Sequence, residues 1–263
     1  MQRIITLTTD FGARDGFVGM MKGVILSINP HATIIDITHD IAPQNIEQGA
    51  FLFANAFKYF PPDAIHVVIV DPGVGSARRP IAAREGEMFF VAPDNGVLSL
   101  ALGSSASVIH LDQPAYWLPR VSHTFHGRDI FAPIAAHLSL GVALESLGKP
   151  IADWVRLSHC TASWRAGNEI VGRVAHIDRF GNIITNIGAE MLAGIDYARI
   201  VVTLRGKTLT GVKSTYAMVA PGEPLLLLSS SGHLEIAVRN GNAAQVLGVQ
   251  FGDEVIAHGG ESV

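Results

Sequence analysis

The sequence predicts an α/β protein in two parts: an N-terminal Rossmann-like α/β domain with a largely parallel sheet, then a smaller C-terminal antiparallel β-barrel-like domain. Three observations carry this. Strand-like and helix-like patterns alternate up to about Pro150. The strand runs there are continuously apolar, as in strands covered on both faces. Beyond Pro150 the pattern changes to short β-rich runs separated by glycines and polar turns.

The elements follow in order. Ile4–Thr8 is a β-rich run that ends at Asp10-Phe11-Gly12. Phe17, Met20, Met21, Val24, Ile25 and Ile28 recur at helical spacing and stop before Pro30, so a helix is expected there. Thr33–Ile37 reads as a second buried strand. Ile46–Phe57 reads as a helix, with Ala50, Phe53, Ala54 and Phe57 three or four apart. Ile65–Val70 is a third buried strand, broken by Asp71-Pro72-Gly73. Strand-like runs follow near Pro80–Ala83 and Met88–Val91, a short helix over Asn95–Leu102, and a helix over His126–Leu138. In the C-terminal part, strands are expected at Ile170–Ile177, Ile183–Ile187, Ile200–Leu204, Leu225–Leu228, Leu234–Val238 and Glu254–Ala257. The domains are placed at residues 1–155 and 165–263, with the junction between about Gly148 and Asn168.

Composition narrows the function classes. With 263 residues, 48% hydrophobic and 16% charged, the chain has ample material for a core and is not of disordered type. No apolar run is long enough to span a bilayer, and the first residues lead into a strand without a signal-peptide layout, so a cytoplasmic setting and no membrane partner are expected. The single cysteine, Cys160, excludes an internal disulfide and a multi-cysteine metal site. The formal net charge of −4 and the absence of basic runs argue against a nucleic-acid surface.

Polar clusters stand where strands end, which is where parallel α/β sheets bind ligands. They are Thr8-Thr9-Asp10-Phe11-Gly12 with Asp15, Asp71-Pro72-Gly73-Val74-Gly75-Ser76-Ala77-Arg78, and Phe125-His126-Gly127-Arg128-Asp129. A fourth, Asp178-Arg179-Phe180-Gly181-Asn182, lies in the β-rich part. Taken singly, each has an ordinary reading: an Asp after a strand caps a helix or makes a turn, and a His at a helix start is commonly structural. The DPGVG loop is no phosphate loop, since it lacks the GK[ST] ending. The histidines show no HExxH or other zinc spacing, so no metal is expected.

The clusters, in order, resemble a known family. TTDFG, VDPGVGSxR, APDNG, FHGRDIFAP, DRFGNxxTN and SSSGxLEIAxxxGNAA run from about Ile4 to Ala257 and are together similar to the S-adenosylmethionine hydroxide adenosyltransferases, relatives of the fluorinase and chlorinase. The resemblance implies hydrolysis of S-adenosylmethionine at C5′ of the adenosyl group, giving adenosine and methionine, with no cofactor. It implies an Asp-Arg-His set handling the water: Asp71, Arg78 (not its neighbour Arg79) and His126. It implies that Asp10 holds the ribose diol, Asp15 and Asp178 meet the methionine ammonium, and Asn182 reads the adenine edge. Ser230 and Ser231 would hold the methionine carboxylate, and backbone near Val238 and Asn240 would complete the adenine pocket. It further implies a homotrimer with sites between subunits.

Two departures are visible. The family often has Asn-Ser where this chain has Ser229-Ser230. The halogenases have a tyrosine in place of Asp71 and a serine in place of Gly127, which argues here for hydroxide over halide. The competing readings are a binding module for S-adenosylmethionine or adenosine with negligible turnover, and a halogenase. Which of Asp71, Arg78 and His126 takes the proton stays open at this level.

Overall fold

A computed structural model describes residues 3–158, 160–166 and 168–259. The chain divides after Leu157 into two compact units, each with its own core.

The first unit is built on a seven-stranded sheet with helices. In chain order it contains β1 (Ile4–Thr9), α1 (Phe17–Ile28), β2 (Thr33–Thr38), α2 (Ile46–Ala56), β3 (Ile65–Ile69), β4 (Pro80–Glu85), β5 (Met88–Pro93), β6 (Ser107–Leu111), α3 (Ala132–Ser139) and β7 (Gly148–Ile151). The strand order is β2-β1-β3-β5-β4-β6-β7. The β2-β1, β1-β3 and β3-β5 pairings are parallel, and the three beyond β5 are antiparallel. The switch follows from connection length: β4 and β5 are joined through Gly86-Glu87, and so short a link permits only an antiparallel hairpin. β3 is buried throughout, as its continuous apolar run predicts.

Three local readings change. β2 has no buried residue, and half of it is exposed, because it is the edge strand, with a neighbour on one side only. Asn95–Leu102 forms successive turns rather than a helix. Gly96 at its start has φ +94°, outside helical space, and packs so closely on Leu157 that a Cβ would lie 2.5 Å from that side chain. The helix over His126–Leu138 is in two parts, a five-residue π-helical turn (Gly127–Phe131) followed by α3. Pro133 accounts for the break. It has no N–H for the Asp129 carbonyl and its ring would press on it. That carbonyl instead accepts from Leu118 N at 2.9 Å, and Ala132 N reaches back five residues to Gly127 O.

His66 on β3 is fully buried beside the rings of Phe53, Phe57, Phe60 and Phe90, with Nδ1 2.7 Å from Thr6 Oγ1. Burial lowers its pKa from 6.5 to about 4. Between those values the unfolded chain binds a proton that the folded chain refuses, so stability falls as pH drops through this window, by roughly 3 kcal/mol in full. Denaturant unfolding at neutral pH and at about pH 4.5 should show this loss, and His66→Leu should lack this share of it. Equal pH slopes in the two proteins would count against the assignment.

The second unit contains β8 (Ser163–Arg165), β9 (Glu169–Ile177), β10 (Ile183–Gly188), β11 (Ile200–Leu204), β12 (Lys207–Thr210), β13 (Val212–Lys213), β14 (Pro224–Leu228), β15 (His233–Val238), α4 (Ala243–Leu247) and β16 (Glu254–Gly259). The order is β12-β11-β16-β9-β10-β15-β14-β13, with β8 on β9. All pairings are antiparallel except β13 with β14. β12 approaches β14, so the sheet curls into a nearly closed barrel around Ile170, Val174, Ile183, Val202, Leu234 and Ile236. The strands not foreseen, β8, β12 and β13 here and β6 and β7 in the first unit, are short or lack a long apolar run.

Candidate active site

In the first unit, three loops meet at the carboxyl ends of central strands. β3 runs out at Val70, whose carbonyl accepts from Asn95 Nδ2 at 2.8 Å, so the APDNG segment braces the point where Asp71 leaves the sheet. The chain then turns back. Val74 N donates to Asp71 O and Ser76 N to Gly73 O, at 3.2 and 3.1 Å. Gly75 has φ +77° and passes so close to the His123 carbonyl that a Cβ would stand 2.3 Å from its oxygen, so only glycine fits. This tight return brings Arg78 over Asp71.

Arg78 grips Asp71 with both arms: Nε donates to Oδ1 at 3.0 Å and Nη2 to Oδ2. Nη2 also lies 3.0 Å from His126 Nδ1, which joins the third loop to the pair. The Asp71 and Arg78 side chains are 6% and 7% exposed, so the ion pair is held largely out of water, where fork geometry matters most. The guanidinium lies over the Phe131 ring, and Nη1 is buried with no hydrogen-bond partner among the described residues. Burial, and secondly the Arg78 charge, lower the His126 pKa. A neutral His126 whose Nδ1 accepts from Arg78 carries its proton on Nε2.

His126 is set at the start of the π-helical turn, and Asp129 within that turn anchors it. Asp129 is fully buried, accepts from Ser122 N at 2.8 Å, and pairs with Arg128 Nε at 2.6 Å. Gly127 is crowded by Phe125, 3.1 Å from where a Cβ would sit, so a side chain there must displace that ring. Asp71 and His126 line a cleft of about 120 Å³ whose apolar wall includes Phe11, Phe17 and Phe125. The three rings pack on one another with centroids 5.2–5.8 Å apart. Arg79 points its charge elsewhere, to Asp94 at 2.7 Å and Asp153 at 2.9 Å.

Asp10 and Asp15 do not line this cleft. Asp10 Oδ2 accepts from Gln44 N at 2.7 Å, and Asp15 is exposed. The loop carrying Asp10 is braced by His39, which pairs Nδ1 with Thr9 Oγ1 at 2.8 Å and Nε2 with Asp36 at 3.1 Å.

The remaining predicted residues lie in the second unit, around two clefts. The larger, about 680 Å³, is lined in part by Asn182, Val238 and Asn240. The smaller, about 430 Å³, is lined in part by Asp178, Ser230 and Ser231. Asp178 and Asn182 are joined at the turn between β9 and β10: Asp178 Oδ1 accepts from Phe180 N and Asn182 N, and Oδ2 from Asn182 Nδ2, at 2.8–3.0 Å. Asn240 is one of few non-glycine residues at positive φ, +56°, in the tight turn closed by Val238 and Gly241. Ser231 Oγ lies 2.9 Å from Ser229 Oγ and 3.2 Å from His233 Nδ1.

Sequence reasoning missed Tyr216, which lines both clefts, and Glu235, which lines the smaller. Glu235 carried a signal, being an acid inside the apolar run Leu234–Val238; Tyr216, in a turn-rich stretch, carried none. Among the described residues no group of three or more His, Cys, Asp or Glu is placed to hold a metal ion, and no helix is long and apolar enough to cross a membrane.

Residues 5–148 match the family model of the SAM hydroxide adenosyltransferase N-terminal domain, and residues 172–256 that of the C-terminal domain. The chain is 38% identical to an (R)-S-adenosyl-L-methionine hydrolase of Salinispora tropica, covering 95% of this chain and 96% of that one. It is equally 38% identical to a protein of the same name from Methanocaldococcus jannaschii, covering 96% and 94%. A fluorinase from an Actinoplanes species is more distant, at 28% identity over 89% of this chain and 90% of its own. An uncharacterized conserved protein from Thermotoga maritima has a solved structure with TM-score 0.89 and 37% identity, covering 97% of this chain and all of that one.

Proposed function

The chain belongs to the SAM hydroxide adenosyltransferase family, and from that premise we propose how its residues hydrolyse S-adenosyl-L-methionine to adenosine and L-methionine. The relatives' names specify the (R) form, and this chain is assigned the same substrate. The observation that carries the residue assignment is the meeting of Asp71, Arg78 and His126 beside one cleft.

Methionine leaves a sulfonium as a neutral thioether, so the departing side needs no proton and no general acid. The demand falls on the incoming water, a weak nucleophile attacking a saturated carbon. Its oxygen bonds to C5′ as the C5′–S electron pair leaves with sulfur, and one proton must be accepted. Arg78 occupies His126 Nδ1, and Nε2 carries hydrogen, so His126 has no free lone pair for that proton. Asp71 keeps lone pairs beyond the two that Arg78 engages and is the assigned acceptor. His126 Nε2–H is the donor assigned to hydroxide-like charge on the oxygen, and Arg78 holds Asp71 and His126 in place for it. Alignment of oxygen, C5′ and sulfur then rests on binding both ends of the substrate. Asp10 is assigned to the ribose diol, Asp15 and Asp178 to the ammonium, Asn182, Val238 and Asn240 to adenine, and Ser230 and Ser231 to the carboxylate. The chemistry calls for no cofactor or metal. A cytoplasmic homotrimer with sites shared between neighbouring copies completes the proposal.

Incubation of the pure protein with the (R) and (S) sulfonium epimers separately, followed by chromatography, should give equal amounts of adenosine and methionine, with the (R) form preferred. Folded protein that yields no adenosine above the uncatalysed background would sink the assignment.

A further inference from the structure

Glu235 sits near the middle of β15, opposite Ile184 of β10 on one side and Leu227 of β14 on the other. It is 3% exposed, yet it lines the 430 Å³ cleft together with Asp178. Oε1 accepts from the Tyr216 hydroxyl at 2.6 Å, and Oε2 has no hydrogen-bond donor among the described residues. Among the described residues no lysine, arginine or histidine lines this cleft. The two acids also differ in what they have to spare. Asp178 already takes three N–H groups from Phe180 and Asn182, whereas Glu235 has one oxygen uncommitted.

A carboxylate buried without a cation is unfavourable unless it is protonated or a ligand brings the missing charge. We infer that Glu235 is a specificity-determining residue of the smaller cleft: its carboxylate, fixed by Tyr216 and set beside Asp178, selects an amino-acid end that carries an α-ammonium. This rests on the proposed substrate and adds to it a contact from the glutamate of the SSSGxLEIA motif, a residue given no role in that reading. Burial and the Asp178 charge raise the Glu235 pKa. Tyr216 lines both clefts, as does Thr215, so its bond to Glu235 also ties the amino-acid compartment to the purine compartment.

The test compares S-adenosyl-L-methionine with its analogue lacking the α-amino group, on the full-length wild type, E235Q, E235L and Y216F. Losing a hydrogen bond to a charged group predicts that E235Q raises KM for S-adenosyl-L-methionine about tenfold, with kcat within about threefold. E235Q and E235L should both shrink the preference for the ammonium-bearing compound by about tenfold, and either folded variant decides the matter. Y216F, which keeps the carboxylate, should retain most of the preference. Wild-type KM and undiminished preference in E235Q or E235L would overturn the inference, as would equal losses on both compounds. Calorimetric binding of the two compounds reads the same preference without turnover. A wild type that releases no adenosine therefore counts against the proposed function, while the role of Glu235 is still decided by binding.

Discussion

Asp71→Asn is expected to lower adenosine formation by about 10³-fold or more, since it removes the proton acceptor and leaves the rest of the site in place. Asparagine is the informative replacement. It has the same shape and keeps one carbonyl oxygen as an acceptor for Arg78, so the guanidinium loses one of its two Asp71 bonds rather than both, as it would beside alanine. In a pair this deeply buried, stranding one partner costs about 3–5 kcal/mol and would confuse a chemical defect with a folding one. The variant should bind adenosine close to wild-type strength, because nothing at position 71 is assigned to the nucleoside. Single-turnover formation of adenosine together with nucleoside calorimetry measures both quantities. Activity within about tenfold of wild type would remove Asp71 from the proton transfer and return the question to His126.

Arg78→Lys should lower kcat by about 100-fold, whereas Arg79→Lys should leave kcat within about threefold. Both variants keep the positive charge. What Arg78 loses is the planar fork that holds both oxygens of Asp71 and reaches His126 Nδ1 with the same nitrogen. Arg79 is adjacent in sequence and identical in chemistry, but its fork lies on Asp94 and Asp153, so its loss should appear in thermal unfolding as about 1–2 kcal/mol. If the two variants proved equally active, the three-residue arrangement would not be the reactive centre. If Arg79→Lys were the inactive one, the loop geometry would be wrong.

Local pattern made much of this protein legible in its sequence. The apolar runs of β1, β3, β10 and β15 and the helical spacing in α1 and α2 are statements about neighbours on one element, which periodicity records directly. The polar clusters ending those strands could be read as site loops, because parallel strands deliver their carboxyl ends to one edge. The change of character beyond Pro150 could be read for the same reason, since it is a change of local period.

Other features required tertiary structure, because they depend on which segments become neighbours. β2 has the composition of a buried strand, and only the strand order makes it an edge. The helix pattern over His126–Leu138 hides a π-helical turn whose freed carbonyl is satisfied by Leu118, from outside the helix. Asp71 and Arg78 are seven residues apart, but nothing local says that the chain doubles back at Gly75 against the His123 carbonyl, or that His126 closes on the same nitrogen. Glu235 could be noticed as an acid in an apolar strand, yet its partner Tyr216 is 19 residues away, on the connection into β14, which pairs with β15. The sequence by itself therefore determined the longer elements, the family and the residues equipped for chemistry. The tertiary structure decided which of those residues touch, because contact between distant loops is set by strand order and long-range packing, which no local pattern encodes.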